Sequence, residues 1–262
     1  MKAYCLASSS SGNAFVLDFD KGGQSTKILI ECGLPYTEIL KKCNENGIDF
    51  SEIEACLITH SHQDHCKSAK ELYKRNIPII AHFKTLEQLN IKGQGIMPKQ
   101  KFRVANGLFG IAFDVEHDVE GSVGYILKTE KECVIFIIDH KRFKSNIRNF
   151  KPDYVFIECN YDHKVVYAQY YELKKRKEEI GFEDDEMKEI NTKLKQMERN
   201  INSHASIVST EKGLAKMDLS NCKGIFLTHL SDRWANEYKM KNEIQSIFGV
   251  KTYVCKKIGG IS

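Results

Sequence analysis

Through its first thirty residues the chain alternates short apolar runs with polar turns. Residues 2–7, 14–19 and 27–32 have strand length and are separated by Ser8-Ser9-Ser10-Ser11-Gly12-Asn13 and by Lys21-Gly22-Gly23. Serine, glycine and asparagine interrupt the apolar pattern there and supply turn conformations, so the spacing predicts an antiparallel opening of three strands. Residues 35–46 suit a helix, with Pro35 near the first turn and Gly47 past the end. A strand over 53–59, a helix over 66–75 and a strand over 78–82 follow as a β-loop-α-β unit. Further strands are predicted over 110–115, 123–129, 133–138 and 154–158. In the last third, helices over 210–217 and 235–248 alternate with strands over 224–228 and 252–255. The expectation is an α/β fold, two packed sheets with helices outside, in one domain over residues 1–262.

Residues 165–201 break this rhythm. They have the length of two antiparallel helices, divided at Gly181-Phe182-Glu183-Asp184-Asp185, where an acidic cap restarts the second helix. Apolar residues fall at Val166, Tyr170, Leu173 and Ile180, then at Met187, Ile190, Leu194, Met197 and Ile201. The second set steps by three and four, which makes a narrow seam with a charged exterior. Such a hairpin either lies on the body or serves as a dimerisation or lid element.

Composition narrows the class. A hydrophobic fraction of 42% and a charged fraction of 28% are globular values and exclude a mainly disordered or collagen-like chain. The longest apolar run, Cys133-Val134-Ile135-Phe136-Ile137-Ile138, is far short of the roughly 20 residues that cross a membrane, so no membrane association is expected. The first residues are too mixed for a signal peptide. The nine cysteines contain no Cys-x-x-Cys pair and their number is odd, which reads as small buried hydrophobes in a reducing cytoplasm. Net charge is +4, but 32 Lys and 7 Arg are scattered among 35 acids. Nucleic-acid binding is permitted by that distribution and not required by it.

Histidine is more informative. Thr59-His60-Ser61-His62-Gln63-Asp64-His65 contains His-x-His-x-Asp-His directly after a predicted strand. His60 and His62, two apart at a strand end, project to one side, and Asp64 and His65 reach past them as the backbone turns into the next helix. Imidazole with carboxylate suits zinc or a similar divalent ion, and four donors within six residues exceed the needs of one open site. Two ions are therefore expected, with further ligands from other strand ends. His117, Asp139 and His229 each follow an apolar run directly.

These motifs resemble those of the metallo-β-lactamase superfamily, from Leu6-Ala7-Ser8-Ser9-Ser10-Ser11-Gly12-Asn13 through Thr228-His229-Leu230-Ser231. The resemblance implies an αββα metallo-β-lactamase sandwich, here with a helical hairpin insertion, and a dinuclear site at one edge. It implies that His60, His62 and His117 hold one metal, that Asp64, His65 and His229 hold the other, and that Asp139 bridges them. The ions implied are two divalent cations, zinc or manganese. One departure stands at Glu31 in Ile28-Leu29-Ile30-Glu31-Cys32-Gly33, where most members carry Asp supporting the motif histidines, so that contact must be made by a longer side chain.

Hydrolysis is the reaction such a site performs. His at position 62 argues against the di-iron oxygen-reducing branch, which resembles His-x-Glu-x-Asp. Thioesterases and lactonases share the site. The segments around Ser8, His117 and His229 are similar to the bacterial YycJ-like and ribonuclease Z-like branch, which includes exonucleases, tRNA-processing enzymes and the homodimeric phage anti-Pycsar phosphodiesterases that hydrolyse cyclic mononucleotides. Asp64 and His204 are the catalytic candidates. Ser203-His204-Ala205 lies where this branch places an extra histidine near the scissile phosphate, and His204 could protonate the leaving oxygen; the plainer reading is an exposed cap before the next helix. His82, His140 and His163 read as strand-end or loop residues, with His140 close enough to Asp139 to touch the site.

Between Lys164 and Asn200 the hairpin carries nine basic and nine acidic side chains. A neutral arm tracks a phosphate backbone poorly. That favours a small cyclic nucleotide as substrate, acted on by a homodimer, over a DNA or RNA strand. A protein that sequesters nucleotides without cleaving them is the other alternative.

Overall fold

A computed structural model describes residues 1–20, 25–143, 145–179 and 185–261. The expected Lys21-Gly22-Gly23 turn, Ile180, and the hairpin break at 181–184 lie outside the described residues. The first sheet comprises β1 (Lys2–Ser9), β2 (Gly12–Asp20), β3 (Ser25–Ile30), β4 (Ile53–Ile58), β5 (Ile79–His82) and β6 (Gln94–Ile96), in that spatial order. Its opening pairs are antiparallel, and β3 to β6 run parallel. Against it lie α1 (Tyr36–Glu45), α2 (Gln63–Cys66), α3 (Ala69–Lys74) and α4 (Phe83–Leu89).

The second sheet is built from β7 (Lys101–Ala105), β8 (Leu108–Glu116), β9 (Val123–Lys128), β10 (Cys133–Ile137), β11 (Arg142–Phe143), β12 (Tyr154–Glu158), β13 (Gly224–Thr228) and β14 (Thr252–Val254). Its order is β11-β8-β9-β10-β12-β13-β14, with β7 also paired to β8. The helices of this half are α5 (His163–Glu179), α6 (Asp185–Ser203), α7 (Ile207–Leu214) and α8 (Glu237–Phe248).

Strand alternation separates three apolar layers. In β4, Ala55 and Leu57 face the other sheet while Cys56 and Ile58 face the helices; in β10, Val134 and Phe136 turn inward while Ile135 and Ile137 turn outward. Strands buried on both faces read as continuous apolar runs, which is why these segments stood out in the sequence. Between the sheets, Phe15 meets Phe136 edge-on at 5.2 Å, and Leu17, Leu57, Tyr125 and Phe156 fill the surrounding layer. Outside the first sheet lie Ile39, Cys43 and Leu72, and outside the second lie Leu214, Met240 and Ile244. The result is an α/β sandwich with helices on both outer faces. Replacing a fully buried Phe15 by Ala should cost about 3–5 kcal/mol.

This topology gathers strand ends. The carboxyl ends of β3 and β4 share one edge of the first sheet, and those of β10, β12 and β13 share one edge of the second because these strands pair in parallel. Strand β8 points the same way through two antiparallel pairings. Residues just past such ends line a shared crevice. The buried Tyr125 hydroxyl donates to the Ile58 carbonyl at 2.6 Å, so the second sheet grips the first where β4 enters the histidine motif.

Several expected boundaries move. The turn over residues 8–13 shrinks to Ser10 and Ser11, because Asn13 bridges it: Ser9 N donates to Asn13 Oδ1 and Asn13 Nδ2 returns to Ser9 O. Strand β3 stops at Ile30, so Glu31 and Cys32 lie beyond it, with Glu31 in the left-handed region. The helix expected over 66–75 is shortened to α3 (Ala69–Lys74), with α2 ahead of it over Gln63–Cys66. Ser68 parts them by donating its N–H to Cys32 O and its hydroxyl to Leu34 O. Helix α7 begins at Ile207 rather than 210, because Ser206 caps it by accepting from Ser209 N. Helix α4 and strands β6, β7 and β11 were not expected; they are short and lack a long apolar period.

Candidate metal centre

The motif loop owes its shape to a change of backbone. After β4 the chain stays extended to His62, at φ −63° and ψ 144°, and then turns into α2, which places Asp64 and His65 in the first helical turn. Cys32 N donates to His65 O at 2.8 Å, and Gly33 lies so close that an added Cβ would sit 1.7 Å from the Asp64 carbonyl oxygen. Only glycine permits that approach.

Around this loop the seven candidate ligands converge. His62 Nδ1 lies 3.1 Å from His60 Nε2 and 3.2 Å from His117 Nε2. Asp139 Oδ2 lies 3.6 Å from His60 Nε2, 3.8 Å from His117 Nε2 and 3.2 Å from His65 Nε2. Asp64 Oδ2 lies 3.3 Å from His65 Nε2 and 3.7 Å from His229 Nε2. Three groups of donors, each within 4.8 Å, follow: His60, His62, His117 and Asp139; Asp64, His65, Asp139 and His229; and Asp139, Glu158, His204 and His229. Asp139 is common to all three, and the first two hold the seven candidate ligands.

The donor set fits divalent cations. Ring nitrogens about 3 Å apart cannot all share hydrogens, and His229 Nε2 is buried without a hydrogen-bond partner among the described residues. Nitrogen and oxygen donors in such groups match zinc chemistry. The far ring atoms are held as metal-binding histidines require. Thr59 Oγ1 is 2.9 Å from His60 Nδ1, and His117 Nδ1 donates to Ser203 O at 3.0 Å. Glu31 faces His65 without a hydrogen bond to it: Oε2 lies 3.6 Å from His65 Nδ1, while Oε1 accepts from Thr59 N at 3.2 Å.

Charge within the group is sharply partitioned. Burial, and then the neighbouring imidazoles, push His60 and His62 below the usual histidine range. Burial also opposes charge on His65 and His229, but Asp139 with other carboxylates outweighs it and raises both well above that range. Asp139 and Glu158 fall well below the usual carboxylate range despite burial, through the adjacent His229 and His204 respectively. Cations entering the centre would take over the role of those imidazolium protons. Glu31, Asp139 and His229 are all left-handed, at φ 62°, 47° and 54°. For non-glycine residues such backbones are strained and gather at functional sites.

His204 lies in the same cleft, directly past the end of α6, with its N–H donating to Asn200 O, and is not the cap of α7, which is Ser206. Its Nδ1 is 2.7 Å from Glu158 Oε1, and its side chain is 17% exposed. Burial opposes its charge, while Glu158 and Asp139 more than compensate and raise its pKa. Glu158, absent from the sequence expectation, is fully buried and also meets His229 Nδ1 at 3.1 Å and the His140 N–H at 2.7 Å. It ends an apolar strand just as Asp139 and His229 follow theirs, so the signal was present. Asp118 was also passed over; Oδ1 lies 3.3 Å from His62 Nε2 and 3.2 Å from His117 Nε2. His140 touches the site through Glu158, His82 caps α4, and His163 opens α5. The cysteines are free, and none belongs to the donor groups.

The cleft over the centre measures about 620 Å³, and α6 closes one side of it with Gln196, Arg199 and Asn200. Helices α5 and α6 meet on a thin seam in which Val166 and Met197 are buried together with Tyr161. No helix among the described residues is long and apolar enough to cross a membrane.

A profile of the family described as "Beta-lactamase superfamily domain" matches residues 26–195. The chain is similar to the exodeoxyribonuclease WalJ of Streptococcus pneumoniae, with 25% identity over 175 residues; the match covers 62% of this chain and 63% of WalJ, less than two thirds of that protein's length. Among solved structures it is similar to the metallo-β-lactamase fold protein YhfI of Bacillus subtilis, with a TM-score of 0.68, 15% identity and coverage of 99% and 97% of the two chains. It is also similar to the short form of human tRNase Z, at a TM-score of 0.61, 14% identity and coverage of 100% and 98%.

Proposed function

Because the chain belongs to the metallo-β-lactamase superfamily of metal-dependent hydrolases, we propose that it is a phosphodiesterase converting cyclic mononucleotides such as cyclic CMP and cyclic UMP to linear monophosphates. The observation that carries this reading is a pair of donor groups joined by Asp139 at the floor of a cleft of ligand size, one side of it formed by the charge-balanced hairpin. In a virus such an enzyme would counteract a host Pycsar defence signal. A homodimer fits this reading, with Tyr167 and Tyr171 exposed on α5 as its contact.

His60, His62 and His117 would hold one divalent ion and Asp64, His65 and His229 a second, with Asp139 shared; zinc suits the set and manganese is the alternative. Bound there, the ions would supply acidified water and neutralise phosphate charge. The protein's own groups do the rest. Asp64 orients the attacking oxygen. Glu158 engages His204 Nδ1 and leaves Nε2 to donate a proton to the departing oxygen.

Incubation of the zinc-loaded or manganese-loaded protein with cyclic CMP, cyclic UMP and cyclic AMP should yield linear monophosphates by chromatography, and chelation should stop it. The similarity to WalJ favours a second reading, an exonuclease acting on DNA. Release of mononucleotides from labelled DNA without turnover of cyclic nucleotides would replace the first reading with the second.

A further inference from the structure

Beside the donor groups the cleft carries one feature that phosphodiester cleavage does not use. Trp234, the single tryptophan of the chain, lines it, and is the one aromatic side chain other than histidine to do so among the described residues. Its loop follows directly from His229 and is tied down twice: Ser231 N donates to Asn160 O at 2.8 Å, and Asp162 N donates to Trp234 O at 2.8 Å. The indole Nε1 donates to Gln169 Oε1 of α5 at 3.0 Å, and the ring packs on the hairpin seam. With its one donor satisfied and its position fixed, what the side chain offers the cleft is an apolar π surface. Arg199 and Arg233 line the cleft with it; Arg199 lies 3.6 Å from Asp118, and Arg233 makes no ion pair among the described residues.

We propose that Trp234 is a stacking platform for the substrate's nucleobase, with Arg233 and Arg199 receiving ribose or phosphate oxygens, so that the cleft selects nucleotides over other phosphodiesters. A phosphate and a sugar alone have no use for a flat aromatic surface, whereas every base has a face to lay on it. Arginine is the cation suited to planar oxygen contacts beside it. The inference rests on the phosphodiesterase reading and names its substrate class. The base could arrive on a cyclic mononucleotide or at the end of a strand.

A single tryptophan makes the test direct. Emission of the zinc-loaded protein should be quenched saturably by CMP and left unchanged by ribose 5-phosphate. Trp234→Leu should raise KM about tenfold for whichever of cyclic CMP and a short oligodeoxynucleotide is cut, with kcat within about twofold, and Trp234→Phe should restore most of the loss. Equal responses to CMP and ribose 5-phosphate, or an unchanged KM in Trp234→Leu, would overturn the platform. The wild-type titration decides even where the leucine variant folds poorly. Hydrolysis of bis(4-nitrophenyl) phosphate by the wild type separates the two ideas: turnover without base-dependent quenching removes the platform alone, and quenching without turnover of any diester removes the phosphodiesterase.

Discussion

The first sheet brings four candidate ligands to the centre from six consecutive residues, His60 to His65, whereas the second brings His117, Asp139 and His229 singly, from the ends of different strands. The geometry of the first group is set by one extended-to-helical turn and its local hydrogen bonds. That of the second exists only once β8, β10, β12 and β13 are in register. On the proposed reading, the contiguous group supplies most of the donors from one local turn, and the dispersed group would complete the metal site and, with Glu158 and His204 behind it, move protons.

Substitution at the residue common to both should have the largest effect. Asp139→Ala is expected to lower kcat at least about a thousandfold and to reduce bound metal toward one ion per chain by elemental analysis; turnover near wild type would dissolve the distinction between the groups. Next comes the dispersed side alone. Glu158→Gln should lower kcat about a hundredfold even at saturating metal, through loss of the carboxylate that orients His204. On the contiguous side the reverse is expected: Glu31→Gln should weaken zinc binding about tenfold in a chelator competition while kcat at saturating zinc stays near wild type. A Glu158 variant that keeps wild-type kcat at full metal occupancy, or a Glu31 variant that loses kcat there, would invert the comparison. The smallest effect belongs to the hairpin. Arg199→Ala, at an exposed ion pair with Asp118, should raise KM about threefold and leave kcat alone, measured by initial rates.

Legibility in the sequence follows the same division. The contiguous ligands appear as one motif because a single turn places them. His117, Asp139 and His229 were legible through a different rule, a polar residue closing an apolar run. Glu158 obeys that rule and was missed because an acid after a strand is common and only the parallel pairing of β12 with β10 and β13 brings it inward. The strands buried on both faces announced themselves, whereas β6, β7 and β11 are too short to carry a period. The division of the 66–75 segment depended on Ser68 bonding to Cys32 and Leu34, partners more than thirty residues distant that no local pattern displays.

The left-handed backbones at Glu31, Asp139 and His229 set this protein's chemistry against its heat resistance. Each such position stores on the order of 1 kcal/mol that glycine or asparagine would release. A library screened for thermal survival alone would therefore be drawn toward these three positions and enriched in hardy, inert proteins. Selection for durability in this scaffold needs activity in the same screen, or mutagenesis confined to the outer helices, where no backbone strain is tied to the reaction.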